Sequence, residues 1–319
     1  MPLVKVQMGS KKWHDLRLKG IGASEVSALF PMERPGYAMS QYTLRKVKRG
    51  EIDANSVFSG DPKFAARGLI REPSIAEIIA VEHGLKIKKG HYVIDDHEPL
   101  MRASLDYIIE EPTAEIRRQL GKKVDGPGVL QIKSVIPFQF LRHWTKTSAP
   151  DYVRIQVAQE CAATGYEWGM IGCANGETEY YAYPLRAPQD NGDRLREEIA
   201  KFWRDSVLGD VEPPVDHTES TRLCLRAEYP PKIYQPGMAN YEADEEADEL
   251  ALAFDTASVN RRQAQQDYDL ARNRLVKHMD KNLHAYTRHW FIDQSVSEKQ
   301  RRVNVKLRNS TSLEGHDEG

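Results

Sequence analysis

The chain has 319 residues, with 45 Lys and Arg against 47 Asp and Glu, 40% hydrophobic and 29% charged. That length fits one large domain with an appendage, or two domains, and the near-neutral charge argues against a generic polybasic binder. The composition excludes a wholly disordered chain, a collagen-like chain and a disulfide scaffold, and no apolar run approaches the roughly 20 residues of a membrane-spanning helix.

In chain order, residues 1–50 carry ten Lys or Arg against three acids, a basic surface of the kind that phosphate contacts need, or simply a solvated face. Met1–Met8 is too short and interrupted for a signal peptide. Trp13, Leu16 and Leu18 mark one short helix and Val26, Leu29 and Phe30 a second, joined by a Gly20-Ile21-Gly22 turn. A helix over Ser40–Arg49 stops at Gly50. Asp61–His83 has helical spacing, with Pro73 marking a new start or a kink.

Strand signals follow at His91–Asp95, Met101–Ile109 and Val129–Val135, the first two separated by an Asp96–Pro99 turn. Glu110–Gly128 is polar and reads as a loop or hairpin excursion. A helix over about Pro150–Thr164 precedes Trp168–Ala174 and Thr178–Tyr183, which flank Asn175-Gly176, a two-residue hairpin signal. Asp193–Leu208 returns to helix. This order gives an α/β or α+β core with a mixed sheet. Cys161, Cys173 and Cys224 show neither metal-ligand spacing nor an even count, which fits a reduced, cytoplasmic chain.

Residues 213–240, opened by Pro213-Pro214, read as a linker or strap. Residues 241–310 read as a coiled-coil-like helical segment with a terminal strand pair, Tyr286–Asp293 and Val303–Leu307. Ala247, Leu250, Phe254, Ala257, Arg261, Ala264, Tyr268, Ala271 and Leu275 form a heptad seam. Because Arg261 interrupts that seam, a helical hairpin is expected rather than one continuous helix. Thr311–Gly319 reads as a disordered tail.

The chemistry concentrates in Glu72, Asp106, Gln131-Ile132-Lys133 and Gln156. Gln131 and Lys133 are two residues apart and share one strand face. If their strand pairs with that of Asp106, a carboxylate, an amide and an ammonium converge. Such a set suits metal-assisted phosphodiester hydrolysis: Mg²⁺ takes one or two carboxylates and keeps several waters, while a lysine orients the attacking water. Spacing alone leaves open that Lys133 merely ends a strand in solvent and that Asp106 is a turn residue. His14 reads as a helix-face histidine. His143 and Trp144 read either as DNA contacts or as packing, and Lys86, Lys88, Lys89 and His91 as a basic strip.

The chain resembles the YqaJ-like viral recombinase family, the alkaline exonucleases of the phage lambda type within the PD-(D/E)XK nuclease superfamily. The resemblance spans about Gly9 to Leu208. It rests on Trp13-His14-Asp15-Leu16-Arg17, Gly22-Ala23-Ser24-Glu25, Arg67-Gly68 with Glu72, Ser104-Leu105-Asp106, Leu130–Lys133, and Tyr152 through Gln156 to Thr164-Gly165. It implies a restriction-endonuclease-like core over 1–212, a central mixed β-sheet flanked by helices, with a helical C-terminal extension. It implies a metal site at Asp106, Gln131, Glu72 and Ile132, holding Mg²⁺ for which Mn²⁺ can substitute. Lys133 becomes the catalytic lysine, and Gln156 lies beside the water and the lysine. Arg17 and Ser24, with Trp13 and Ser104, become the clamp for a DNA 5′-phosphate.

The implied activity is 5′→3′ digestion of linear double-stranded DNA to leave 3′ overhangs for recombination. A ring trimer, a single-strand annealing partner and a phage or prophage origin in a bacterial cytoplasm are implied with it. One position departs from the family signature: Gln131 stands where Glu or Asp is usual. The amide is expected to be a natural, tolerated ligand. Alternatively it marks an engineered Glu→Gln exchange, or the carboxylate has moved to Glu160, one helical turn from Gln156. Two other functions stay open: a structure-specific or restriction-like endonuclease, and a catalytically weakened DNA-binding protein.

Overall fold

The computed structural model describes residues 3–4, 6–31, 39–57, 62–121, 124–230, 244–280, 282–286, 290–297 and 300–307. Two compact units divide the chain, Met1–Gln235 and Pro236–Gly319.

After β1 (Leu3–Val4), the Ser10 hydroxyl accepts from the Trp13 amide and starts α1 (Lys11–Arg17). The expected Gly20–Gly22 turn is instead a short strand, β2 (Ile21–Gly22), because its backbone finds partners in a parallel pairing with Met101 and Arg102. A 3-10 turn, Val26–Leu29, stands where the second short helix was expected. Next come α2 (Gln41–Lys48), capped by Ser40, and α3 (Pro62–Glu82). Pro73 neither restarts nor ends α3; the bond it forfeits is to the carbonyl of Leu69, a highly exposed residue, where water is at hand.

β3 (Ile87–Lys89) and β4 (Tyr92–Ile94) follow. The expected strand Met101–Ile109 is two strands, β5 (Met101–Ser104) and β6 (Tyr107–Ile109), bent at Leu105-Asp106. The polar excursion holds a helix, α4 (Ala114–Leu120), because Thr113 caps it. Then come β7 (Gly128–Val135), α5 (Pro137–His143) and α6 (Asp151–Thr164). β8 (Trp168–Asn175) and β9 (Glu179–Arg186) form the expected hairpin. Its loop has one residue more than the sequence signal implied, since Asn175 still pairs with Glu179 and Gly176 takes φ 68°. α7 (Gln189–Phe202) runs into a π-helical turn, Trp203–Leu208.

The strands form two sheets, ordered β1-β4-β5-β2 and β3-β6-β7-β8-β9. The bend between β5 and β6 hands the chain from one sheet to the other. β7 and β8 are parallel, so a crossover must join them, and α6 lies within it. Val129 of β7 packs in one cluster with Val153, Val157 and Cys161 of α6. Leu130 and Ile132 pack in another with Ile75, Ala76 and Ile79 of α3. The alternation along β7 therefore puts Gln131 and Lys133 on the α6 side. A central mixed sheet between helices is the expected α/β architecture.

Part of the stretch read as a strap is a helix, α8 (Glu219–Glu228), capped by Thr218. It is packed rather than extended because α2 offers it both polar and apolar partners. The Ser40 amide donates to Ser220 Oγ (3.1 Å) and the Tyr42 hydroxyl to Glu228 (2.7 Å), while Cys224 sits with Tyr42, Val47 and Val57. Within that stretch, 231–240 lie outside the described residues.

In the second unit, α9 (Glu245–Met279) is one 35-residue helix, about 52 Å long at 1.5 Å per residue. A hairpin was expected at Arg261, but that side chain is exposed, and a solvated charge interrupts no helix. β10 (His284–Tyr286), β11 (Trp290–Ser297) and β12 (Gln300–Leu307) make an antiparallel sheet of three strands where a pair was expected. The tail Thr311–Gly319 lies outside the described residues. Among the described residues no helix is long and apolar enough to cross a membrane.

Candidate active site

Asp106 sits in the bend before β6, and the antiparallel register Tyr107↔Leu130 brings it beside Gln131. Gly90 makes that bend passable: a Cβ there would lie 2.2 Å from the Leu105 carbonyl oxygen, and the Gly90 amide donates to the Asp106 carbonyl at 2.9 Å. Asp106 Oδ2 accepts from the Ile132 amide (2.9 Å) and from Gln131 Nε2 (2.5 Å). On the same side of β7, Lys133 Nζ donates to Gln156 Oε1 (2.9 Å), and Gln156 Nε2 donates to Glu160 Oε1 (2.9 Å). Glu72 reaches the cluster from α3 and accepts from Lys89 Nζ at 2.6 Å, so one lysine of the basic strip is engaged there. The structure thus gathers Asp106, Gln131, Ile132, Lys133 and Gln156, with Glu72 at their margin.

The electrostatics run against ionisation. Burial first, then the Glu72 charge, raises the Asp106 carboxyl to about 6, against the opposing pull of the Ile132 amide, Lys133 and Lys89. Glu160 is fully buried; burial and then the Asp106 charge push it well above the usual carboxylate range. Two buried oxygens here, Gln131 Oε1 and Glu160 Oε2, have no hydrogen-bond partner. Buried polar atoms are ordinarily paired, so an orphaned oxygen beside a carboxylate marks a place for something electropositive. Among the described residues, no three His, Cys, Asp or Glu side chains form a ready metal cage. The donors present are mixed oxygens, from Asp106, Gln131 and Glu160, and that chemistry fits a hard divalent cation that retains waters.

A second constellation adjoins the first. The Arg17 guanidinium lies over the Trp13 ring, 4.7 Å from its centre, and donates to Ser24 Oγ (3.3 Å) and Glu25 Oε1 (2.9 Å). The Trp13 indole donates to Ser104 Oγ at 3.0 Å. Arg17, Ser24, Ser104, Tyr92 and Arg102 line a pocket whose wall is completed by Gln156 and Glu160. All four clamp residues expected from the sequence therefore meet, and Gln156 touches both the pocket and Lys133.

Several participants escaped the sequence reading. Glu25 accepts from Arg17, from Lys48 Nζ (2.8 Å) and from the Gly22 amide (2.7 Å). Burial pushes its carboxyl up, but Lys48 and Arg17 outweigh that and pull it to about 2. It closes the Gly22-Ala23-Ser24-Glu25 block, but nothing in the sequence assigned it a role. Tyr92 and Arg102 carry no motif of their own. Trp144 is buried against Phe140 and Tyr183, which makes it a packing residue.

Residues 12–167 match the family model of the YqaJ-like viral recombinase domain, a shorter span than the Gly9–Leu208 resemblance but one that contains every residue of both constellations. The uncharacterized protein YqaJ of Bacillus subtilis (strain 168) is 20% identical over 226 residues, 70% of this chain and 64% of that protein. The chain thus matches less than two thirds of that relative's length. Among solved structures, an alkaline exonuclease (LHK-Exo) from Laribacter hongkongensis is 12% identical with TM-score 0.45, over 70% of this chain and all (100%) of that one. LHK-Exo in complex with dAMP is 14% identical with TM-score 0.43, over the same shares, 70% and 100%.

Proposed function

We propose that this chain, whose residues 12–167 match the YqaJ-like viral recombinase domain, is a Mg²⁺-dependent exonuclease that digests linear double-stranded DNA 5′→3′ and leaves 3′ single strands for recombination. The observation that carries this reading is the shared residue Gln156. It accepts from Lys133 on one side and lines the Arg17–Ser24–Ser104 pocket on the other. A guanidinium and two hydroxyls suit a terminal phosphate. A pocket for a chain end beside the hydrolytic group places the scissile bond close to that end. An endonuclease has no need of such a pocket.

The protein's own parts divide the work. Arg17, steadied by Glu25 and stacked on Trp13, binds the terminal phosphate with Ser24. Asp106 is aimed by the Ile132 amide and the Gln131 side chain. Lys133, held by Gln156, orients the attacking water and offsets charge on the phosphate. A divalent cation held by Asp106 and neighbouring oxygens would supply Lewis-acid polarisation of the phosphate and make water a better nucleophile. The homo-oligomer, a ring trimer by resemblance, and a single-strand annealing partner belong to the same proposal.

The test uses end-labelled linear duplex with and without a 5′-phosphate, in Mg²⁺ and in EDTA. Expected is Mg²⁺-dependent loss from phosphorylated ends, reduced roughly 10²–10⁴-fold by Lys133→Ala. Arg17→Ala should remove the preference for phosphorylated ends. Equal cutting of a closed circular plasmid would instead establish the endonuclease reading.

One contact favours a second reading. Gln131 donates to Asp106 rather than leaving that oxygen open, as a catalytically silent DNA-binding protein could tolerate. Duplex binding without cleavage in Mg²⁺ or Mn²⁺, with activity created by Gln131→Glu, would establish it.

A further inference from the structure

The loss of a carboxylate at Gln131 leaves the cluster with a gap in its chemistry, and α6 carries a side chain that fills it. Glu160 is 1% exposed, yet no Lys or Arg pairs with it among the described residues. Its Oε1 accepts from Gln156, and its Oε2 accepts from nothing. A buried carboxylate without a counter-ion is costly and is normally removed or paired. Gln156 and Glu160 are four residues apart on one helix face, the face turned to the side of β7 from which Gln131 and Lys133 project. Lys89 is engaged by Glu72 and Lys133 by Gln156, while Arg17, across the pocket, is engaged by Glu25, so none of them hydrogen-bonds Glu160.

We propose that Glu160 is a direct ligand of the divalent cation and supplies the carboxylate that Gln131 does not, while Gln131 clasps Asp106 through its Nε2. This assignment rests on the nuclease reading. The carboxylate has moved from strand to helix: the site keeps its charge but draws it from α6. Because Glu160 also lines the Arg17–Ser24–Ser104 pocket, the cation it holds borders the site of the terminal phosphate. A purely structural Glu160, present only to orient Gln156, needs a single oxygen and has no use for the second.

The measurement is Mn²⁺ binding by the full chain in the absence of DNA, read by electron paramagnetic resonance and calorimetry. Glu160→Gln keeps the shape and the acceptor for Gln156. It should weaken Mn²⁺ at least about tenfold, whereas a side chain with no part in the metal site would leave affinity unchanged. Adding Gln131→Glu to that variant should restore affinity to near the wild-type value. If Glu160→Gln binds Mn²⁺ as the wild type does while Asp106→Asn loses it, the Glu160 assignment is overturned and the nuclease reading stands. If the wild type binds no Mn²⁺ and cleaves nothing in Mg²⁺, both fall. Anomalous diffraction from wild-type crystals soaked in Mn²⁺ decides the matter independently of how any variant folds. A peak within about 2.5 Å of Glu160 Oε2 supports the assignment, and a peak held by Asp106 without Glu160 overturns it.

Discussion

Two buried glutamates in the same unit are handled in opposite ways. Glu25 has both oxygens engaged, by Arg17, Lys48 and the Gly22 amide, and its carboxyl is pulled down to about 2 despite burial. Glu160 has one oxygen on an amide and the other on nothing, and its carboxyl is pushed up. A compensated buried charge can serve as a structural fixture; Glu25 holds the Arg17 guanidinium in place. An uncompensated one is driven to take up a proton, unless a cation is there to hold it ionised. The contrast separates the scaffold of the site from its chemistry.

The sharpest way to break the comparison is to remove each acid from the metal-free protein. Glu25→Ala strands Lys48 in the interior and takes the carboxylate from the half-buried Arg17, and should cost about 3–5 kcal/mol in urea unfolding. The contribution should also vanish in acid. The folded carboxyl lies below its ordinary value of about 4.5, so its stabilisation is present above that pH and is lost as pH falls toward about 2. The gap between wild type and Glu25→Gln should therefore be widest at neutral pH and close toward pH 2; a gap that widened in acid would refute the ion-pair account.

Glu160→Gln should behave oppositely. Without metal it should leave stability within about 1 kcal/mol of the wild type, because burial already disfavours the charged form of Glu160 and the amide keeps the acceptor for Gln156. A large loss in thermal or urea unfolding would show that Glu160 is a structural fixture too. Smallest is Trp13→Phe, which loses the indole bond to Ser104 but keeps a ring under Arg17, at about 1 kcal/mol. Its expected signature is a weaker preference for 5′-phosphorylated ends with little change on unphosphorylated ones.

Much of the site was legible because its signals are local. A period of two puts Gln131 and Lys133 on one face, and a period near four stacks Gln156 and Glu160. The bend at Leu105-Asp106 was not legible, since Arg102, Ser104 and Asp106 alternate with apolar residues as in one continuous strand; its division follows from Gly90 passing close against Leu105. The strap was misread at α8 for the same kind of reason: a polar helix is recognisable only with the α2 partners that cover it. At α9 the error ran the other way, with a charged seam position given weight that it has only in a packed interface.

The sequence by itself determined the mixed α/β class, the helix and strand periods and the residue types gathered at the site, because each depends on neighbours within a turn or a pleat. Only the tertiary structure decided which charges are compensated. Whether a carboxylate meets two cations, as Glu25 does, or none, as Glu160 does, depends on groups brought together from distant parts of the chain and on the water excluded between them.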